Sequence, residues 1–344
     1  MQNPRSFTLA LLAIAMLAAV ISQTTVATAL QNDDGGDSAA ESKESPAEQS
    51  PDVLAKVDAE ARRLLTEARD RLFQYSSVQA RIAEQVSFPG RKFNAEGTYI
   101  AGPFPALRLE YEVQVGRTTG KLLQVCDGQI LRTRREIGQV GGSADPAADA
   151  LSDGARSTIQ VTRRDIQQIL RATQHRQQVP EAVLAAELGL GGLPALLAAI
   201  EKSMTFDAIR TEEFDGRDYR VIQGRWSDAF MATLNEQLRT GVPGMQQFIP
   251  DRVRIYLDAE NLFPGRILYL KESSSDGERR TYRPLLSLEF RDVVINAPVD
   301  PDTFRYQAPP GVDEVDETKE YLKLIEGADI ATEDASAGNG SAAP

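Results

Sequence analysis

"ALRLEYEVQV", residues 106–115, sets Leu107, Leu109, Tyr111, Val113 and Val115 in alternation with Arg108, Glu110, Glu112 and Gln114. Successive side chains of a β-strand point to opposite faces, so this stretch predicts a strand with one dry and one wet side. "RVRIYLD", 252–258, repeats the pattern through Val253, Ile255 and Leu257. Asp-Gly pairs at 127–128, 215–216 and 276–277 fall between strand-like runs. Both central residues of a tight hairpin must tolerate positive φ, which suits Asp-Gly. "FPGRK" and "AENLFPGR" add two Pro-Gly reversals. Strands joined by hairpins pair antiparallel, so the sequence predicts roughly ten strands in two blocks, near 78–136 and 205–307.

Helical periodicity appears before and between these blocks. In "PDVLAKVDAEARRLLTEARDRLFQYSS" the residues Val53, Val57, Ala61, Leu64, Ala68 and Leu72 recur every three or four positions, on one face of a helix. After a small-residue loop, "TRRDIQQILRATQHRQQ" places Thr162 and Asp165 in capping-box spacing and groups Ile166, Ile169 and Leu170. "PEAVLAAELGLGG" and "LPALLAAIEKSM" begin with Pro at or near the first helical turn, where its missing N–H is tolerated. The second is apolar almost all round, so protein or ligand must cover it. "SDAFMATLNEQLR" carries a stripe of Phe230, Met231, Leu234 and Leu238. The fold expected is α+β, a large antiparallel sheet with helices on one face.

The ends read differently. Arg5, the apolar run Phe7–Ile21 and Ala27-Thr28-Ala29 form the three regions of a secretory signal peptide over 1–29, cleaved before Leu30. Its apolar core is shorter than the ~20 residues a membrane span needs. Residues 30–51 read as a disordered acidic linker, 52–326 as one domain with a helical insertion about 157–204, and 327–344 as a disordered tail. Residues 31–50 carry one Lys against six acids, and 313–344 two Lys against nine. The formal charge of −12 therefore belongs to the two ends and the body is near neutral. Without a basic stripe, a nucleic-acid partner is not expected.

Catalytic patterns are sparse. One His and one Cys leave no set for the usual zinc sites. No G-x-S-x-G, Walker A or G-x-G-x-x-G occurs. His175 sits between Gln174 and Arg176 on a polar helix end, and Cys126 alternates with apolar positions as a small core residue would. The acids of "EEFDGRD" lack EF-hand spacing and are explained by a turn. The expectation is a non-enzyme with no cofactor and no metal. What remains is apolar surface, which fits a filled core or a partial barrel whose helices lid a space for hydrocarbon.

"VDPDTFRYQAPPGVDEVDE", 299–317, resembles the closing stretch of the periplasmic LolA-like lipoprotein carriers through Phe304, Tyr306, Pro309, Pro310, Gly311 and Val312. "GTYIAGPFPALRLEYEV" and "LLQVCDGQILRTR" are similar, in order, to two hairpins of that family, the second through Val125, Asp127, Gly128 and Leu131. "RVRIYLDAENLFPGRILYL" suits a third strand pair. Where the carriers place an Arg before the hairpin proline, this chain has Gly102 before Pro103. The resemblance implies a half-open β-barrel with a helical lid, an apolar cavity for acyl chains of lipoproteins or lipids, membrane-bound donor or acceptor proteins, and a monomeric periplasmic protein. On that fold the lining expected is Leu107, Leu109, Tyr111 and Val113 from the sheet. Leu193, Leu196, Leu197, Ile200, Phe230, Met231 and Leu234 would come from the lid. The alternative is an envelope sensor or interaction module that signals to a membrane partner through its acidic tails.

Overall fold

The computed structural model describes residues 50–88, 91–115, 118–139, 158–174, 180–188, 190, 192–239, 249–276 and 279–323. The expected signal peptide, nearly all of the linker, the loop after Gln139, His175 and the tail 327–344 lie outside the described residues.

Helix α1 (Pro51–Gln74) opens with Pro at its first position and buries Ala61, Leu64, Leu65, Ala68 and Leu72. The stripe starts later than its period predicts. Val53 is 46% exposed, because residues 51–56 project past the surface that covers the rest of the helix. A run of strands follows: β1 (Val78–Phe88), β2 (Arg91–Ala101), β3 (Leu107–Val115), β4 (Thr118–Cys126), β5 (Ile130–Gln139) and β6 (Thr158–Asp165). Three helices come next, α2 (Ile166–Gln174), α3 (Glu181–Glu187) and α4 (Leu193–Ser203). The second run is β7 (Met204–Phe214), β8 (Arg217–Trp226), helix α5 (Asp228–Arg239), β9 (Arg252–Asp258), β10 (Pro264–Asp276) and β11 (Arg279–Ile295). A 3-10 turn (Pro301–Phe304) and β12 (Glu314–Asp316) end the sheet.

All twelve strands form one sheet in the order β12-β6-β5-β4-β3-β2-β1-β11-β10-β9-β8-β7. The two blocks join where β1 pairs antiparallel with β11, and among the described residues the single parallel pair is β12 with β6. Two free edges leave the barrel open. The sheet curls round one core in which Val78, Tyr99 and Cys126 of the first block meet Ile222, Val253 and Ile267 of the second and the buried faces of α1, α2 and α4. This is an α+β fold, a half-open antiparallel barrel with helices seated in its hollow. Strand β9 is buried on both faces, because Tyr256 also packs outward with Tyr219, Val221 and Leu268.

Several local expectations change. Thr162 and Asp165 belong to β6, and Asp165 alone caps α2 by accepting the Gln168 N–H at 2.8 Å. The 215–216 turn is as read, with φ of 51° and 71°. Pro264-Gly265 is not the reversal, since it starts β10. The turn is 259–263, built by Asp258 accepting from Glu260 and Asn261 N–H at 3.0 and 3.1 Å, with Leu262 at φ 58°. Phe304-Arg305-Tyr306, at the end of the second block of expected strands, forms no strand. Asp300 accepts the Asp302 N–H at 2.9 Å and winds the chain into the 3-10 turn, and Pro309 and Pro310 have no N–H for a ladder.

Two polar fastenings hold the ends of this assembly. On α1, Arg62 donates to the Glu201 and Met204 carbonyls at 2.7 Å each, and Asp58 accepts the Phe206 N–H at 2.8 Å. Thr66 and Arg69 reach the Glu201 carboxylate at 3.0 and 3.2 Å. This clasp ties α1 to the junction of α4 and β7. At the opposite edge β12 brings Glu314, Asp316 and Glu317 onto Arg132, Arg163 and Arg164. Arg164 also lies over the Tyr321 ring, 5.0 Å from its centre, while the Tyr321 hydroxyl donates to the Leu188 carbonyl. A share of the C-terminal acidity is thus structural.

An ion pair is worth more when part-buried, charge-assisted and stacked than when it waves in solvent. Arg164→Ala is expected to lower urea-unfolding stability by about 1–3 kcal/mol. Arg81→Ala, at the exposed pair with Asp292, is expected to change it by less than about 0.5 kcal/mol.

Candidate functional site

The inner face of the sheet is a series of cross-strand rungs. Along one of them Val113, Ala95, Glu84, Leu288, Ile267 and Ile255 stand side by side on β3, β2, β1, β11, β10 and β9. Facing side chains in such pairs lie about 5 Å apart, so the rung is a nearly continuous wall. Its apolar members follow from the alternation in the strands, and one position breaks it. "VQARIAEQV" puts Val78, Ala80, Ile82 and Val86 on the inner phase, with Glu84 among them.

The expected lining residues fall as follows. Leu107 is buried on β3, and Leu109 and Tyr111 are half-buried beside it. Leu193, Leu197 and Ile200 of α4 are buried and Leu196 is half-buried. Phe230, Met231 and Leu234 of α5 are all half-buried. One core brings together Leu107, Leu109, Tyr111, the four α4 residues, Phe230 and Met231. Val113 belongs to a small separate cluster with Ala95, and Leu234 to neither. Phe230 stacks on Trp226 at 4.9 Å between ring centres, and Trp226 lies over Tyr269 at 6.5 Å.

Helix α4 enters the hollow through Gly192, whose φ of 67° and ψ of −125° suit a residue without a side chain. The Leu193 N–H donates to the Tyr99 hydroxyl at 3.4 Å, and burial pushes that phenol up to about 12. Where α1, the start of α4 and the β2–β3 hairpin converge, a crevice of about 30 Å³ opens among Leu72, Phe73, Tyr99, Phe104, Leu107 and Pro194. That is room for one water-sized guest, so the helices and sheet are closed on one another at this seam. Gly102 stands beside it under the Phe304 ring, where an added Cβ would come within 2.9 Å of two ring carbons. Phe304 thus occupies the space over Gly102.

Three residues that matter here escaped the reading of the strand pattern: Tyr99, Gly97 and Glu84. Glu84 is 4% exposed, its Oε2 has no hydrogen-bond partner, and burial raises its carboxyl to about 8. Its neighbourhood also pushes up the Tyr269 phenol, which is shifted first by burial and then by the Glu84 charge. The Tyr111 hydroxyl is buried and equally unpartnered. Its ring leans across Gly97, where a Cβ would meet Cδ2 at 2.9 Å, towards β1. An inner-phase acid in β1 is the signal that could have found the pair. Cys126 is buried, and burial, the main cause, lifts its thiol to about 11. Among the described residues no three His, Cys, Asp or Glu side chains group as metal ligands would, and no helix is long and apolar enough to cross a membrane.

The class that these features define is a half-open antiparallel barrel with an apolar hollow filled by helices. No family model matches the sequence, and no curated protein does. Among solved structures the chain is similar to MucB, at 16% identity over 73% of this chain and 64% of that one, with a TM-score of 0.35. It is also similar to MucB in the MucA/MucB complex of Pseudomonas aeruginosa, at 13% identity over 72% and 61% with a TM-score of 0.35. A LolA superfamily protein from Nitrosomonas europaea is 11% identical over 72% of this chain and 97% of that one, with a TM-score of 0.24. The chain thus spans less than two thirds of the MucB chains it matches.

Two predictions arise from the buried acid and thiol. The unfolded chain ionises Glu84 from about pH 4.5, while the folded chain keeps the proton to about pH 8. Stability is therefore full at low pH and falls as pH rises through that window. Glu84→Gln is expected to raise unfolding free energy by about 3 kcal/mol at pH 7 and by little at pH 4, measured by urea titration at both. Cys126 is expected to resist a water-soluble thiol reagent at pH 8 in the native protein and to react at once in denaturant.

Proposed function

We propose that this chain is an exported, periplasmic and non-catalytic carrier of acyl chains. It would accept the hydrocarbon of a lipoprotein or lipid between the inner face of the sheet and the helices, as a monomer. It would then pass that chain between membrane-bound donor and acceptor proteins. The observation that carries the reading is the composition of the contact between α4 and the sheet. Leu193, Leu197 and Ile200 are buried against an apolar wall, and the Leu193–Tyr99 bond is the one hydrogen bond described between them. Hydrocarbon can stand in for such a contact almost without loss, because the wall and the helix each trade one apolar neighbour for another.

The energy scale is adequate. Burying an acyl chain yields ~0.8 kcal/mol per CH₂, so roughly sixteen carbons could contribute about 12 kcal/mol before ordering costs. The water-sized crevice at Leu72, Tyr99 and Pro194 lies between the two layers, and a guest would have to part them further. In the alternative of a sensor module, a partner would have to use acids other than Glu314, Asp316 and Glu317, which are engaged with the chain's own Arg residues.

Organic extracts of the purified protein are expected to contain co-purifying lipid by mass spectrometry, and the delipidated protein to bind an uncharged apolar dye. Leu109→Asn and Leu196→Asn alter half-buried positions and are expected to weaken dye binding about tenfold with the circular dichroism spectrum retained. Absence of both lipid and dye binding contradicts the proposal.

A further inference from the structure

The inner wall holds two polar atoms for which the fold supplies no partner. The Glu84 Oε2 and the Tyr111 hydroxyl are each buried without a hydrogen bond. A buried unpaired polar group costs stability, and native proteins carry few of them. The two residues occupy the same face, on adjacent rungs and two strands apart, since Glu84 pairs with Ala95, Ala95 with Val113, and Tyr111 lies two residues before Val113. The Tyr111 ring lies over Gly97. No side chain at β2 position 97 intervenes, and at position 95 there is only a methyl group.

We propose that Glu84 and Tyr111 together form a hydrogen-bonding site for the carbonyl oxygen of the ester or amide that joins an acyl chain to its headgroup. This rests on the acyl-carrier reading and adds a polar anchor to an otherwise apolar site. A protonated carboxyl and a phenol each offer one O–H, and a carbonyl oxygen has two lone pairs to receive them. The charge environment selects this class over others. Around Glu84 the inner-face neighbours are Ile82 and Val86 on its own strand, Ala95 and Phe93 on β2, Leu286, Leu288 and Phe290 on β11, and Tyr269 on β10. None carries a charge, and burial is the one influence that shifts the acid. A phosphate would find no cation there, and an ammonium would require the acid to ionise among apolar side chains.

The test is displacement of the bound apolar dye from the full chain at pH 6.5 by two guests of equal carbon number, methyl palmitate and heptadecane, with hexadecylamine as a third. Methyl palmitate is expected to displace the dye at about one tenth of the concentration that heptadecane needs, which is the worth of one to two added hydrogen bonds. Tyr111→Phe and Glu84→Leu should each reduce that advantage to about threefold, and the double variant should abolish it, with heptadecane unchanged. Glu84→Gln keeps an N–H donor and should retain it, which separates donor loss from misfolding. Equal displacement by ester and alkane in the parent protein overturns the anchor while leaving the carrier reading in place. So does a stronger effect of the amine than of the ester. A chain that binds no dye at all overturns the carrier reading, and the anchor with it.

Discussion

A sheet whose inner face carries Val113, Leu288, Ile267 and Ile255 on one rung cannot leave that face in water. Each such side chain is worth about 1.5–3 kcal/mol when removed from water, so the curved wall demands a filling. The five described helices supply it, and the rest of the architecture follows from how they are kept in place. The fill is specific at Tyr99. It packs edge-on against Phe290 at 6.2 Å, receives the first N–H of α4, and forms part of the seam with α1. It joins sheet and helices where neither layer alone is complete.

The fastenings are distributed unevenly. Asp58, Arg62, Thr66 and Arg69 clasp the end of α4 and the start of β7. The β12 segment locks the other sheet edge through three Arg-carboxylate pairs. Between these polar ends the contact of α4 with the wall is apolar and weakly directional. Directional bonds hold one register, whereas apolar surfaces can exchange partners of similar shape. A frame anchored at its edges and greasy in the middle suits a helical layer that yields to a guest without loss of the sheet.

Much of this was legible in the residues. The alternation of Leu107 to Val113, the stripe of Ile166, Ile169 and Leu170, and the all-round apolarity of Leu193–Ser203 are periodic, and periodicity is what local sequence encodes. Turn chemistry was less so. Pro264-Gly265 has the composition of a reversal, yet Asp258 and Asn261 make the turn with side-chain bonds that depend on exact backbone placement. The 304–306 stretch has strand-like residues, but the Asp300 cap and its prolines win over β-propensity. The parallel β12–β6 pair joins residues about 150 positions apart, a tertiary fact with no local signature. Glu84 was visible only as one misplaced letter in an apolar phase. Its significance depends on Ala95 and Leu288 beside it and on Tyr111 leaning from two strands away.

Hydrogen exchange of the backbone amides, read by mass spectrometry with and without an acylated lipid, bears most directly on whether the helical layer gives way to hydrocarbon. Guest binding in the hollow predicts altered protection across Leu193–Ser203 and at the Tyr99 end of β2, with the β12–β6 edge unchanged. Exchange that stays the same in those segments when lipid is bound, or that changes only on the outer face around Tyr219 and Tyr256, would contradict the account.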